Sequence, residues 1–227
     1  MSCAPLARTI QRWRRAGSAA AIDLPSLKRY LALGDSYTIG EGVVEAERWP
    51  NQLAGMLRVR EIGLEDPLIF ARTAWTTDEL TDAIDAEKIV GKFDLVTLLI
   101  GVNDQYRSRS VQSFAAEFSV LLRRAKAFGG RKASRVIALS IPDWGATPYG
   151  EGRDRALIGR EIDAYNARAQ KLTSAAGARW VDITTITREM QDDERLVASD
   201  KLHPSAEMYR QWAELVLPLA LEIIGSP

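Results

Sequence analysis

The chain contains one histidine, His203, in the stretch DKLHPS (200–205). A neutral imidazole is the usual base for activating a hydroxyl nucleophile, because its ordinary pKa lies near neutrality. It then needs a carboxylate on its other ring nitrogen to fix tautomer and orientation. Asp200, three residues earlier in the same stretch, can fold back to supply that contact. The stretch equally suits a surface histidine at a helix start, with Pro204 in the first helical turn. A candidate nucleophile is Ser36 in LALGDSYTIG (31–40), where an apolar run stops at Gly34. Gly, Asp and Ser all favour turns for local reasons. The alternative is a serine presented at the C-terminal end of a buried strand. Asn103, in LLIGVND, carries a side-chain amide able to donate to a developing oxyanion, usually the largest electrostatic contribution in acyl transfer. Gly-x-Asn-Asp is also ordinary turn chemistry.

Other chemistries find less support. GDSYT is not the Gly-x-Ser-x-Gly elbow of α/β-hydrolases, because Thr38 stands where the second glycine belongs. GDSYTIGEG matches neither a dinucleotide loop nor a Walker A loop, which needs Gly-Lys-Ser/Thr. Cys3 is the only cysteine, which rules out an internal disulfide and any multi-cysteine metal site. No metal or organic cofactor is implied. The 30 basic and 30 acidic residues cancel, so no global field points to nucleic acid or anionic lipid. No apolar run approaches the roughly 20 residues of a membrane-spanning helix. The first 22 residues are basic and free of acids, with Arg8, Arg12, Arg14 and Arg15. They lack the apolar region of a secretory signal and resemble a transit peptide or a disordered extension. A cytoplasmic location is expected, with a poorly ordered extension over 1–27 and the functional domain over 28–227.

The elements that must position these residues follow from periodicity. At 227 residues, with 46% apolar and 26% charged content, the chain suits one α/β domain. Short apolar runs over 30–33, 67–71, 93–100, 135–141 and 179–183 read as strands. The stretch FDLVTLLI is apolar on both faces, as in a central parallel strand covered on each side. Between the strands the period becomes helical. Val111, Phe114, Phe118, Leu121 and Leu122 form one stripe, and Ile158, Ile162, Tyr165 and Ala169 a second. Met208, Trp212, Leu215, Leu219 and Ile223 form a third, with Pro218 inside it and expected to kink it. Pro50 marks the start of a helix covering Leu53, Met56 and Leu57. Alternating strands and helices predict a three-layer α/β/α architecture, and ligands bind in such sheets beyond the carboxyl ends of the strands. Ser36, Asn103 and the loop 142–153 all fall at those ends. Asp35 and Asp104, as ionised carboxylates, are expected to hold the loops by accepting backbone N–H groups. Trp75, Tyr106, Trp144 and Tyr149 fall near the same mouth, as lining of an acyl or sugar pocket or as packing residues.

GDSYTIGEG after the first strand, GVND after the third and DKLHP before the last helix resemble, in that order and spacing, the GDSL/SGNH hydrolase family. The resemblance runs from about Lys28 to the C-terminus. It implies a flavodoxin-like fold with a five-stranded parallel sheet in order 2-1-3-4-5, and hydrolysis of carboxylic esters or thioesters. It implies Ser36 as nucleophile, His203 as base, Asp200 as the residue orienting His203, and an oxyanion hole from the Ser36 N–H and the Asn103 side chain. The family's third donor is the N–H of a glycine after the second strand. In ARTAWTTDEL the matching position is Ala74. Alanine keeps the N–H, but a left-handed conformation there costs a residue with a Cβ about 1–2 kcal/mol.

The expected function is a serine hydrolase cleaving short-chain acyl esters or removing acetyl groups through an acyl-enzyme, on a small-molecule substrate. Lysophospholipase or thioesterase activity is an alternative acyl specificity. A non-catalytic binding domain, or a flavin- or nucleotide-binding one, would share the fold. The sequence leaves the oligomeric state open.

Overall fold

The computed structural model describes residues 27–225. The extension expected over 1–27 lies outside the described residues except for Leu27, as does Cys3. Five parallel strands form the sheet: β1 (Tyr30–Gly34), β2 (Leu68–Ala71), β3 (Leu95–Leu99), β4 (Val136–Leu139) and β5 (Arg179–Val181), in spatial order β2-β1-β3-β4-β5. β2 to β5 each lie within a run expected from the sequence, and β1 runs one residue past its expected end, to Gly34. β1, β3 and β4 are buried along their whole length, whereas the edge strand β2 is only partly covered. That is why the central strands read as continuous apolar runs.

The helices are α1 (Ser36–Ile39), α2 (Trp49–Val59), α3 (Thr77–Glu87), α4 (Val102–Tyr106), α5 (Val111–Phe128), α6 (Arg155–Ala175), α7 (Thr184–Thr187) and α8 (Ala206–Ile224). α2 packs on α8, while α5 packs between α3 and α6, and β3 touches both α5 and α8. The sheet is thus covered on both faces. The apolar stripe of α5 explains its packing, with Phe114, Phe118, Leu121 and Leu122 buried. In α8 Met208 and Trp212 of the expected stripe are buried, but Leu215 is exposed and Leu219 and Ile223 only half-buried, the covered face running through Val216 and Ala220 instead. Leu98, fully buried in β3, illustrates the scale. Its replacement by Ala costs about 2–5 kcal/mol, a large share of a domain's roughly 5–15 kcal/mol.

Two expectations change. Pro204 does not open the last helix. It pairs with Val197 in an isolated antiparallel bridge, and Ser205 caps α8 by accepting from the Met208 N–H at 3.4 Å. α3 was not expected. Its Thr76-x-x-Glu79 capping box, in which the Thr76 side chain faces the helix's first amides and Glu79 accepts from the Thr76 N–H, is the sequence signal that marks it. Among the described residues no helix is long and apolar enough to cross a membrane.

The register levels the strand ends. Gly34 pairs with Ala71 on one side and Leu99 on the other. Ser36, Ala74 and Asn103 follow those three strand ends within a few residues, so the topology alone brings the three loops together.

Candidate active site

Ser36 is the first residue of α1, which Asp35 caps by accepting from the Tyr37 N–H at 3.0 Å. Gly34 makes the tight exit from β1 feasible. A Cβ there would lie 2.1 Å from Thr38 Oγ1 and 2.4 Å from the Leu99 carbonyl oxygen, so no larger residue lets α1 fold back over the strand end. As a first-turn residue, Ser36 has an N–H without an i−4 partner inside the helix.

His203 comes from the far end of the chain. Its Nε2 lies 3.0 Å from Ser36 Oγ, across 167 residues of sequence. Its Nδ1 lies 2.6 Å from Asp200 Oδ2. Ser36 and His203 are each 6% exposed. Asp200 Oδ1 also accepts from the N–H groups of Leu202 and His203, both at 2.9 Å. Burial works against the Asp200 charge, but these amides and the imidazole outweigh it and hold the carboxyl below its ordinary value. An ionised Asp200 only accepts, so Nδ1 carries the proton and Nε2 is left as acceptor for the Ser36 hydroxyl. The loop is shaped by Lys201 in a left-handed conformation (φ 67°) and by the Ala198 N–H donating to the His203 carbonyl at 2.7 Å. Gly42 (φ 89°) packs against it, where a Cβ would approach Ala198 Cβ to 2.7 Å. A side chain at 42 would push the α1 and His203 loops apart.

Asn103 lies in α4, a short helix rather than the turn its neighbours suggest. Its Nδ2 donates to the Trp75 carbonyl at 3.0 Å, leaving a second amide hydrogen. Ala74 has φ 67°, the left-handed conformation in which glycine has no Cβ penalty. Arg107 Nη2 donates to the Ala74 carbonyl at 2.7 Å, and Nη1 to Glu79 at 3.1 Å. The carbonyls of Ala74 and Trp75 are therefore both held from α4 or its C-terminal end. Among the described residues no hydrogen bond uses the Ala74 N–H. Arg107 was not singled out from sequence. Its position four residues after Asn103, one helical turn on, is the only signal that marks it.

Asp104 reinforces the same junction. It is fully buried and accepts from the Thr77 N–H at 3.0 Å and from Thr77 Oγ1 at 2.8 Å. Both flanking aspartates accept backbone N–H groups, as expected, but the charge expected on Asp35 is not what its burial favours. Burial raises the carboxyls of both, and that of Asp35 is pushed up to about 8 despite the Tyr37 N–H. Asp35 thus favours its protonated form at neutral pH, because among the described residues no cation pairs with its buried carboxyl.

The aromatic residues divide. Tyr106, Trp144 and Tyr149 form one cluster, with the two tyrosine hydroxyls 3.0 Å apart and the Arg153 guanidinium 4.8 Å from the Tyr149 ring centre. The Tyr149 N–H donates to the Lys201 carbonyl at 3.0 Å, so this cluster bridges α4 and the His203 loop. Trp75 packs instead on Phe70, 5.7 Å away. One further acidic residue reaches the centre: Glu41 Oε2 lies 4.0 Å from His203 Nε2 and accepts from Thr73 Oγ1 at 2.6 Å. Among the described residues no cluster of three or more His, Cys, Asp or Glu side chains suits a metal ion.

A serine hydroxyl, an imidazole and a carboxylate thus lie in one hydrogen-bonded row at the carboxyl ends of a parallel sheet, an arrangement that suits nucleophilic chemistry. Residues 32–211 match the model of the GDSL-like lipase/acylhydrolase family, and the chain belongs to that family. Among solved structures, TesA superposes with a TM-score of 0.68 at 17% identity, covering 86% of this chain and 99% of that one. A lipase/acylhydrolase from Enterococcus faecalis gives 0.66 at 20% identity, covering 88% and 96%. Axe2, an acetylxylan esterase from Geobacillus stearothermophilus, gives 0.64 at 19% identity, covering 88% and 95%. At these identities the likeness is one of fold. No curated protein sequence matches the chain.

Proposed function

We propose that the protein is a serine hydrolase that cleaves carboxylic esters of small acyl groups, acetyl foremost, through an acyl-enzyme. One observation carries the reading: the unbroken chain of contacts from Ser36 Oγ to His203 Nε2 at 3.0 Å and from Nδ1 to Asp200 at 2.6 Å. Family membership and the acetylxylan esterase among the fold's neighbours support it.

His203 Nε2 takes the hydroxyl proton as Ser36 Oγ attacks the acyl carbon, and Asp200 stabilises the imidazolium that results. The carbonyl oxygen becomes an oxyanion, bound by the N–H groups of Ser36 and Ala74 and the free amide hydrogen of Asn103. As the tetrahedral intermediate collapses, the bond from acyl carbon to alkoxy oxygen breaks and Nε2 returns its proton to the departing alcohol. Water then gives a proton to Nε2, attacks the same carbon and releases the carboxylic acid, restoring the Ser36 hydroxyl. The substrate is a small-molecule ester, and the balanced net charge provides no field for nucleic acid.

The test is hydrolysis of p-nitrophenyl esters from acetyl to dodecanoyl by wild type and Ser36→Ala. Wild type is expected to favour the short esters, and the variant to lose at least ~10³-fold in kcat. Equal rates in both proteins would overturn the nucleophile, and a maximum at long chains would overturn the acyl class.

A further inference from the structure

Glu41 has no part in the mechanism above, yet its carboxylate stands beside the imidazole nitrogen that accepts the Ser36 proton and returns it. Oε2 is 4.0 Å from His203 Nε2, held there by the 2.6 Å hydrogen bond from Thr73 Oγ1. The side chain is 40% exposed, so it faces the open site rather than the core. Among the described residues no lysine or arginine forms an ion pair with it. Apart from His203 when it is protonated, no cation among the described residues pairs with its carboxylate.

What arrives at Nε2 is the alcohol. To receive its proton, the alkoxy oxygen of the ester must come within about 3 Å of Nε2. A carboxylate oxygen 4.0 Å from the same nitrogen is then within reach of a group on the first two or three atoms of the alcohol. The acyl carbon and its chain lie on Ser36 Oγ, and the carbonyl oxygen turns towards Ala74 and Asn103. Glu41 thus borders the alcohol side.

The geometry points to Glu41 as the residue that selects the alcohol half of the substrate, a reading that rests on the serine-esterase function proposed above. It favours alcohols with a hydroxyl or cationic group next to the ester oxygen, as in partly acylated polyols, and rejects alcohols that carry an anion there. A hydroxyl donates to the carboxylate. An anion brought that close to the half-exposed carboxylate meets Coulomb repulsion from a like charge.

The test keeps the acyl group constant and varies the alcohol: 2-hydroxyethyl acetate, acetylcholine, propyl acetate and the acetate ester of isethionate. Because kcat/KM covers only the steps up to acylation, the shared deacylation step drops out. Wild type is expected to prefer the hydroxyethyl and choline esters to the isethionate ester by about tenfold or more, with propyl acetate between. Glu41→Gln, which keeps size and hydrogen bonding, should bring the choline-to-isethionate ratio to within about threefold of unity. Thr73→Val, which frees the carboxylate, should give an intermediate ratio. An effect of Glu41 on the imidazole alone would change all four rates by one factor and leave the ratios intact, and that result would overturn the inference. So would a flat wild-type panel, with esterase activity itself upheld. No hydrolysis of any acetate by wild type would overturn the esterase reading and this inference with it.

Discussion

Replacing Ala74 by Gly tests whether the left-handed residue in the β2–α3 loop is strained by its Cβ. At φ 67° an alanine carries a penalty of about 1–2 kcal/mol that glycine avoids. Glycine also raises the entropy of the unfolded chain, which removes about 0.4–1 kcal/mol of that gain. The net expectation is stabilisation by roughly 0.5–1 kcal/mol, and for a chain of this size about 2–4 °C in Tm per kcal/mol. Thermal melts and guanidinium titrations of the two proteins measure it. Activity should change little. The substitution keeps the N–H, and the flanking carbonyls stay bound by Arg107 at 2.7 Å and Asn103 at 3.0 Å, so kcat/KM on p-nitrophenyl acetate should remain within about threefold of wild type. A variant less stable than wild type would refute the strain argument. A loss of about 10²-fold in kcat at unchanged stability would show that the Cβ itself is needed to position this loop.

Two further outcomes follow from the same loops. Asn103→Ala removes the proposed oxyanion donor together with the bond to the Trp75 carbonyl, and kcat should fall by roughly 10²- to 10³-fold; full activity would exclude Asn103 from the oxyanion site. Asp35→Asn keeps the acceptor for the Tyr37 N–H but removes the proton equilibrium. The native carboxyl titrates near about 8 against an ordinary 3.8, so between those values the folded state holds a proton that the unfolded chain has released. Wild-type stability therefore falls as pH rises from about 4 to about 8. The Tm advantage of the Asn variant should widen over that range, and a constant difference would show that the carboxyl is ionised when buried.

Much of the architecture was legible in the residues themselves. Strands covered on both faces need apolar side chains at every position, and β1 and β3 announce this in LALG and LVTLL. Amphipathic helices need one stripe, which α5 and α8 display. The reactive types were legible too: one histidine, an aspartate three residues before it and a serine behind a strand-ending glycine. Each of these is a local property, written within a few positions of the chain.

Contacts between loops that follow different strands were legible only where the family resemblance implied them, because no local pattern records which loops the sheet will bring level. Only the order β2-β1-β3-β4-β5 sets Ser36 against His203, 167 positions away, and Arg107 against the Ala74 carbonyl. Glu41 stood in plain view within GDSYTIGEG, but its approach to His203 depends on Thr73 from a third loop. The charge on Asp35 was misjudged for the same reason. A carboxyl's protonation is decided by how much water and counter-charge surround it, and burial is a property of the assembled fold.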